Sequence, residues 1–140
     1  MQLNRFLLML CCVLSVSVAS GQAESKKLRV ALVPDSEDIL LGKGKIQPGE
    51  WFKGLWAAKR TDWWNNRTAE QRSVVFLGDS ITQGWASLNK HFPNLKIANR
   101  GISGDATRGV LYRLREDVLD LDPEAIVLLI GTNDIGLEMS

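Results

Sequence analysis

The chain has 140 residues, of which 45% are hydrophobic and 24% are charged, and its formal net charge is +1. This length and composition are typical of one soluble globular domain and leave no room for a second. The near-neutral charge, without a basic stripe, argues against nucleic acid as a partner.

Residues 1–20 have the pattern of a secretory signal peptide. A short positively charged start is followed by the apolar run 6–18 and then by small residues, and the run is shorter than the roughly 18 residues of a membrane-spanning helix. We expect cleavage after Ser20 or Ala23, a secreted or periplasmic protein, and no stable membrane insertion afterwards. An uncleaved anchor is the alternative. Both cysteines lie in the apolar run, so no disulfide is expected in the mature domain.

Residues 24–72 show an irregular pattern and are predicted to form an N-terminal arm ahead of the main domain at residues 73–140. The arm is rich in tryptophan. We expect these aromatic side chains to pack onto the domain or to line a cleft, with sugar binding as the alternative. The residues concerned are Trp51, Trp56, Trp63 and Trp64.

Three apolar runs predict β-strands, at residues 74–77, 95–98 and 125–130. The third run is apolar at every position, which is typical of a parallel strand that is covered on both faces. A polar loop follows each run: Gly-Asp-Ser after the first, residues 99–105 after the second, and Gly-Thr-Asn-Asp after the third. The three runs therefore predict a buried sheet with polar residues where each strand ends.

Two amphipathic helices are predicted between the strands. The first ends at Pro93 and is weakened by Gly84, and the second ends at Pro123 and has Asp105 available to cap its start. Their apolar faces consist of Ile81, Trp85, Leu88 and Phe92 in the first helix, and of Val110, Leu114, Val118 and Leu121 in the second. This alternation of strands and helices predicts the beginning of a doubly wound parallel α/β sheet.

The three polar loops carry the candidate site residues. Because the strands are parallel, the loops leave the sheet at its carboxyl edge, where such folds bind ligands. Ser80 supplies a hydroxyl at a helix start, Gly104 an unobstructed backbone N–H and Asn133 an amide donor, which together predict a nucleophile beside an oxyanion hole. Each residue also has a structural alternative: Ser80 as a helix cap, Gly104 as a residue of positive φ, and Asn133 as a turn asparagine.

Three sequence blocks resemble successive motifs of the SGNH/GDSL hydrolase family. They are Phe-Leu-Gly-Asp-Ser-Ile-Thr-Gln-Gly at residues 76–84, Asn-Arg-Gly-Ile-Ser-Gly-Asp at 99–105 and Ile-Gly-Thr-Asn-Asp at 130–134. Arg-Gly-Val-Leu-Tyr-Arg-Leu at 108–114 makes the chain most similar to the branch that contains the catalytic subunits of platelet-activating-factor acetylhydrolase. The resemblance implies a flavodoxin-like three-layer α/β/α fold and a lipase or esterase that hydrolyses carboxylic esters, often with short acyl groups such as acetyl.

Carried over to this chain, the resemblance implies roles for three residues. Ser80 would be the nucleophile and a backbone N–H donor, and Gly104 and Asn133 would complete the oxyanion hole. The family needs no metal and no cofactor. Its substrates are esters, which leaves acetylated polysaccharides, lipids and small esters open as partners of this protein, together with a possible homo-oligomer.

The family also supplies a catalytic Asp and His from an Asp-x-x-His block near the C-terminus, and this chain has no such block. Its single histidine, His91, lies several helical turns after Ser80 and is not expected to reach it. We therefore expect an N-terminal fragment, incomplete at the C-terminus and inactive alone. The alternative is a truncated, non-catalytic carbohydrate-binding or interaction protein with the same fold. A nucleotide-binding domain is disfavoured because no Gly-x-Gly-x-x-Gly follows the first strand.

Overall fold

The computed structural model describes residues 50–136, so the predicted signal peptide and the first part of the predicted arm lie outside the described residues. The helices are α1 (Glu50–Asn66), α2 (Ser80–Gly84), α3 (Leu88–His91), α4 (Thr107–Asp117) and α5 (Thr132–Gly136), and a 3₁₀ turn lies at Leu119–Leu121. The strands are β1 (Val74–Gly78), β2 (Ile97–Gly101) and β3 (Ala125–Leu129). Within residues 50–136, none of the helices combines the length and the apolar character needed to span a membrane.

The three strands form one parallel sheet in the order β2-β1-β3. Gly78, the last residue of β1, lies opposite Gly101 in β2 and Leu129 in β3, so all three strands end at the same level. The loops that follow them therefore leave at one edge of the sheet. This arrangement confirms the predicted parallel α/β architecture.

The two faces of β1 are covered by different helices. Val75 and Leu77 belong to a buried cluster on the α4 side, which also contains Val110 and Val118. Phe76 points to the other side, where its ring lies 5.9 Å from that of Trp85 and 5.6 Å from that of Phe92. Alternating side chains of one strand thus anchor helices on opposite faces, as a doubly wound sheet requires.

Helix α1 (Glu50–Asn66) lies within the predicted arm, in a segment whose sequence pattern is irregular. Phe52, Trp56 and Trp63 lie on its inner side and form a buried cluster with Ile102 from the main domain. The apolar face of the helix is hard to recognise in the sequence because Arg60, which is also buried, occupies one of the inward positions. The predicted domain boundary at residue 73 stays a prediction.

The tryptophans of the predicted arm differ in their surroundings. Trp56 and Trp63 are buried, as expected for residues that pack onto the domain. Trp64 is half-buried under the guanidinium carbon of Arg67, which lies 3.9 Å from the ring centroid. Trp51 is 61% exposed. Of these four side chains, Trp51 is the one most open to a ligand.

The first connection between strands is two short helices rather than the single predicted helix. Helix α2 ends at Gly84, and Trp85 leaves helical geometry with a ψ of 66°. Glycine costs about 1 kcal/mol in a helix interior, so the chain turns here and restarts at α3. The predicted apolar face is consequently split: Leu88 is buried, whereas Ile81 is 54% exposed.

Strands β2 and β3 also differ from their predicted forms. β2 begins at Ile97 and continues to Gly101, because backbone pairing with β1 extends through residues that the sequence pattern assigned to a loop. β3 is not covered on both faces within residues 50–136: Leu128 is 57% and Leu129 48% exposed. It pairs only with β1 among the described strands, which makes it an edge strand here.

Candidate active site

Ser80 lies in the tight turn between β1 and α2. Asp79 caps the helix: its Oδ1 accepts the Ile81 N–H at 2.9 Å, and its backbone carbonyl accepts the Gln83 N–H at 2.9 Å. Asp79 is buried, whereas Ser80 is exposed. The buried aspartate therefore fixes the turn, and the Ser80 hydroxyl is left accessible at the carboxyl edge of the sheet. The alternative role of Ser80 as a helix cap is therefore wrong, because the residue that caps the helix is Asp79.

Gly104 lies in the loop after β2, in a turn formed by residues 102–105 that we call the Gly104 turn. The Asp105 N–H donates to the Ile102 carbonyl at 3.1 Å and closes the turn. Gly104 has a φ of +83°, which fits the third position of a type II turn and favours glycine. Within residues 50–136 its N–H donates to no backbone carbonyl.

The Gly104 turn is bound directly to the segment that carries Ser80. The Ser103 N–H donates to Gln83 Oε1 at 2.8 Å, and Asn99 Nδ2 donates to the Thr82 carbonyl at 2.7 Å. A side chain at Gly101 would place its Cβ 2.1 Å from the Gln83 nitrogen. The close approach of these backbones therefore requires glycine at position 101, and it brings the first two polar loops together.

Asn133 and Asp134 attach the third loop to the same region. Asn133 Nδ2 donates to the Asp105 carbonyl at 2.7 Å. The Asp134 carboxylate accepts the Thr107 N–H, with its two oxygens 3.2 and 3.1 Å from that nitrogen. Asp134 thus caps α4, whereas Asp105, the residue expected from sequence to do so, accepts the N–H of Ala106, ahead of the helix, at 3.0 Å.

A buried ion pair lies beneath the Gly104 turn. Arg113 Nε donates to Asp105 Oδ2 at 2.9 Å, and both side chains are fully buried. Arg113 Nη2 donates to the Arg100 carbonyl at 2.9 Å and to the Gly78 carbonyl at 3.3 Å. One arginine therefore joins the last turns of β1 and β2 to the aspartate that follows Gly104.

The charge state of Asp105 reflects two opposing effects. Burial raises the pKa of its carboxyl above the usual value, while the charge and hydrogen bond of Arg113 act in the other direction. Sequence reasoning did not identify this pair. The available signal was the position of Arg113, which lies three residues after Val110 and so falls on the inward side of its helix.

A second buried ion pair ties α1 to the far end of α4. Arg60 Nε donates to Asp117 Oδ2 at 2.8 Å, and burial raises the pKa of the Asp117 carboxyl. Trp63 contributes to the same connection, since its ring lies 4.9 Å from the guanidinium carbon of Arg100 and 5.4 Å from that of Arg113. Helix α1 is thus joined to the sheet by charge as well as by apolar contact.

His91 is engaged elsewhere. Its Nδ1 accepts the indole N–H of Trp85 at 2.8 Å and lies 3.3 Å from Ser87 Oγ. In the part of the chain that the structure describes, the Ser80 hydroxyl has no hydrogen-bond partner, and no group of His, Cys, Asp and Glu side chains is arranged to hold a metal ion. The structure thus brings the loops of Ser80, Gly104 and Asn133 together and leaves His91 outside them.

Residues 76–140 match the GDSL-like Lipase/Acylhydrolase family. The platelet-activating factor acetylhydrolase IB subunit beta homolog of Drosophila melanogaster is 39% identical over 69 residues, which are 44% of this chain and 29% of that protein. The IB subunit alpha1 of Homo sapiens is 38% identical over 74 residues, which are 48% of this chain and 31% of that protein. The chain thus spans about three tenths of the length of these relatives.

A solved structure from Streptococcus pneumonia, described as that of a platelet activating factor, has a similar fold. Its TM-score is 0.52 with 28% sequence identity, over 64% of this chain and 42% of that chain. The parallel sheet and its flanking helices therefore correspond to part of the α/β fold of the solved structure.

Proposed function

Because residues 76–140 match the GDSL-like lipase/acylhydrolase family, we propose that the protein containing this chain is a carboxylic ester hydrolase with Ser80 as its nucleophile. The observation that carries the proposal is the exposed Ser80 side chain at the carboxyl edge of the sheet, where the Gly104 turn is hydrogen-bonded to the same segment through Gln83. Both turns are held by hydrogen bonds to neighbouring residues. The backbone segments that carry the hydroxyl and the donor are thus in place before a substrate arrives, as efficient acyl transfer requires.

The reaction proceeds through an acyl-serine. Ser80 Oγ attacks the ester carbonyl carbon and gives up its proton to a base, and the carbonyl electrons move onto oxygen to form the tetrahedral oxyanion. Collapse of this intermediate expels the alcohol, which takes up the proton. Water then attacks the acyl-serine in the same way and releases the carboxylic acid and the free serine.

The oxyanion would be bound by backbone and side-chain donors from the three loops. Gly104 offers its N–H, and Ser80 its own. The Asn133 amide carries two hydrogens, and its bond to the Asp105 carbonyl uses only one of them. The second hydrogen is the donor that we assign to the oxyanion.

The general base lies outside the described residues in this proposal. A serine hydroxyl needs a base within hydrogen-bond reach, and within residues 50–136 His91 is the sole histidine and contacts Trp85 instead. The relatives are far longer than this chain. We therefore assign the base, with the carboxylate that orients it, to a part of the protein beyond residue 140.

We propose that the ester substrate carries a short acyl group. The curated relatives are named as acetylhydrolase subunits, which supports acetyl as the acyl group here. For the alcohol, Trp51 is the supporting residue: it is 61% exposed, and its ring lies 3.2 Å from the position that a Cβ of Gly104 would take. A sugar ring or another flat, partly apolar alcohol could stack there, so an acetylated carbohydrate is our first candidate.

We propose further that the protein is exported. The support is the sequence pattern of residues 1–20, with its charged start, apolar run and small-residue exit. The mass of the mature protein purified from the periplasm or the medium tests this directly. A chain that begins near residue 21 or 24 supports export, and an intact N-terminus in the cell contradicts it.

The test of the activity uses the full-length protein and its Ser80→Ala variant with p-nitrophenyl acetate as the substrate. We expect kcat/KM to fall by at least about 10³-fold, because removing a serine nucleophile eliminates acyl-enzyme formation. Ser87→Ala is the matched control, since this serine contacts His91 outside the three loops. It should keep wild-type activity. Equal activity of Ser80→Ala and wild type would refute the nucleophile and favour a binding role.

A further inference from the structure

The Gly104 turn has few contacts of its own that would fix its position. Its middle residues are Ser103 and Gly104, and Gly104 is the residue type with the greatest backbone freedom. Ser103 is held by one side-chain bond, to Gln83. A turn of this kind needs support from the residues around it if Gly104 is to present its N–H at a constant place.

That support converges on Asp105. Its Oδ2 accepts from Arg113 and its Oδ1 from the Ala106 N–H, its own N–H closes the turn, and its carbonyl accepts from Asn133. Asp105 therefore joins the Gly104 turn to α4 on one side and to the third loop on the other. Gly109 allows this arrangement, since a Cβ there would lie 1.9 Å from Asp105 Oδ1.

Arg113 carries the connection on to the Ser80 side. Its Nη2 reaches the carbonyls of Arg100 and Gly78, the latter two residues before Ser80. The planar guanidinium presents its donors in a fixed fork, so these bonds and the bond to Asp105 set one another's geometry. No lysine could span the same three acceptors.

We propose that Asp105 and Arg113 are positioning residues, which hold the Gly104 N–H in place relative to the Ser80 hydroxyl. Neither side chain touches the substrate, because both are fully buried. Their effect on the reaction rests on the proposed function, in which Gly104 binds the oxyanion. Their effect on the turn does not, and the two can be measured separately.

The experiment compares Asp105→Asn with Asp117→Asn in the full-length protein. Both changes neutralise a buried aspartate paired with a buried arginine, but Asp117 binds Arg60 at the far end of α4. The asparagine side chain has a single oxygen, so in Asp105→Asn it cannot offer separate acceptors to Arg113 and Ala106. We expect kcat of Asp105→Asn to fall at least about tenfold with KM within about twofold, because small misplacements of catalytic groups cost this much or more. Asp117→Asn should keep wild-type kcat per folded molecule.

Backbone hydrogen exchange of residues 102–106 gives a readout that does not depend on activity. In Asp105→Asn the amides of Ser103, Asp105 and Ala106 should exchange at least about tenfold faster than in wild type, and in Asp117→Asn they should be unchanged. Unchanged exchange in Asp105→Asn, or an equal loss of kcat in both variants, would overturn the proposal. If Ser80→Ala stays active, the proposed function fails, and the exchange data still decide whether Asp105 holds the turn.

A second variant applies if Asp105→Asn does not fold. Arg113→Lys keeps the positive charge next to Asp105 but loses the donors to Gly78 and Arg100. We expect the same result as for Asp105→Asn: a lower kcat, little change in KM, and faster backbone hydrogen exchange at residues 102–106. Wild-type values of both in folded Arg113→Lys would show that the fork is not needed and would contradict the positioning role.

Discussion

At the scale of single residues, the proposed mechanism gives the Asn133 side chain two tasks. Its amide donates to the Asp105 carbonyl, which fixes the orientation of the group, and its second hydrogen is the donor that the proposal assigns to the oxyanion. A glutamine would be longer by one methylene group and an aspartate would lack the donors. In the proposed mechanism, an asparagine therefore suits this position better than a glutamine or an aspartate.

We predict that Asn133→Ala lowers kcat of ester hydrolysis by about 10²- to 10³-fold, the usual cost of losing one oxyanion donor. KM should change far less, because the ground-state ester carries little charge on its oxygen. Steady-state kinetics with p-nitrophenyl acetate measures both constants. Asn89→Ala, at an exposed position in α3, is the control and should match wild type. A loss below about threefold in Asn133→Ala would exclude Asn133 from the oxyanion hole.

The positions of Ser80, Gly104 and Asn133 after the strands can be predicted from sequence, because each follows a recognisable apolar run. Their catalytic roles stay a prediction. The residues beneath them cannot be predicted in this way. The Asp105–Arg113 pair depends on a fork that reaches carbonyls in two different strands. The sequence alone does not show which backbone carbonyls will accept hydrogen bonds from a buried guanidinium.

At the scale of secondary structure elements, polar residues at inward positions concealed regular structure. In α1 the inward position held by Arg60 interrupts the apolar face, and in β2 Asn99 and Arg100 extend a strand beyond its apolar part. These side chains have buried partners: Arg60 Nε donates to Asp117 Oδ2 at 2.8 Å, and Arg100 Nε donates to the Asp117 carbonyl at 2.8 Å. Burial of a polar group is tolerated only with such partners, which come from distant parts of the chain.

Two helical glycines give a matched prediction about these elements. Gly54 lies in α1 with nothing within 4 Å of its missing Cβ, whereas a Cβ at Gly109 in α4 would lie 1.9 Å from Asp105 Oδ1. We expect Gly54→Ala to raise the free energy of unfolding by about 0.5–1 kcal/mol through helix propensity. Gly109→Ala should lower it by about 1–3 kcal/mol, because the added methyl group overpacks the site of the ion pair.

Urea unfolding of both variants, followed by far-ultraviolet circular dichroism, measures these free energies. Gly109→Ala should also lose activity, since it displaces the carboxylate that holds the Gly104 turn. A stability of Gly109→Ala equal to that of Gly54→Ala would contradict the close packing of α4 against Asp105.

At the scale of the whole molecule, the described residues bury the centre of the sheet and leave the edge strand β3 exposed. The α4 side of the sheet is filled by apolar side chains and by two buried ion pairs. On β3, by contrast, Val127, Leu128 and Leu129 are all at least 40% exposed. The parallel topology was predictable from alternating strands and helices. The exposure of β3 was not predictable. An apolar run indicates that a strand is buried, but it does not indicate which segment of the protein covers that strand.

Two buried carboxyls on the α4 side of the sheet make the stability of the molecule depend on pH. Burial raises the pKa values of Asp105 and Asp117 above the ordinary aspartate value of 3.8. A raised pKa means that, between 3.8 and the shifted value, the folded state binds more protons than the unfolded state. The free energy of unfolding then falls as the pH rises through this window, and it is level above it.

We predict that Asp117→Asn weakens this pH dependence. Asparagine does not titrate, so the wild-type protein should lose stability relative to the variant as the pH rises from about 4 through the shifted pKa. The measurement is urea unfolding of both proteins at several pH values between about 4 and 7, with the difference in free energy plotted against pH. Other titrating groups cancel in this difference because both proteins contain them. A wild-type protein that gains stability relative to Asp117→Asn over that range would show that Arg60 stabilises the carboxylate by more than burial costs it, and that the pKa of Asp117 is lowered rather than raised.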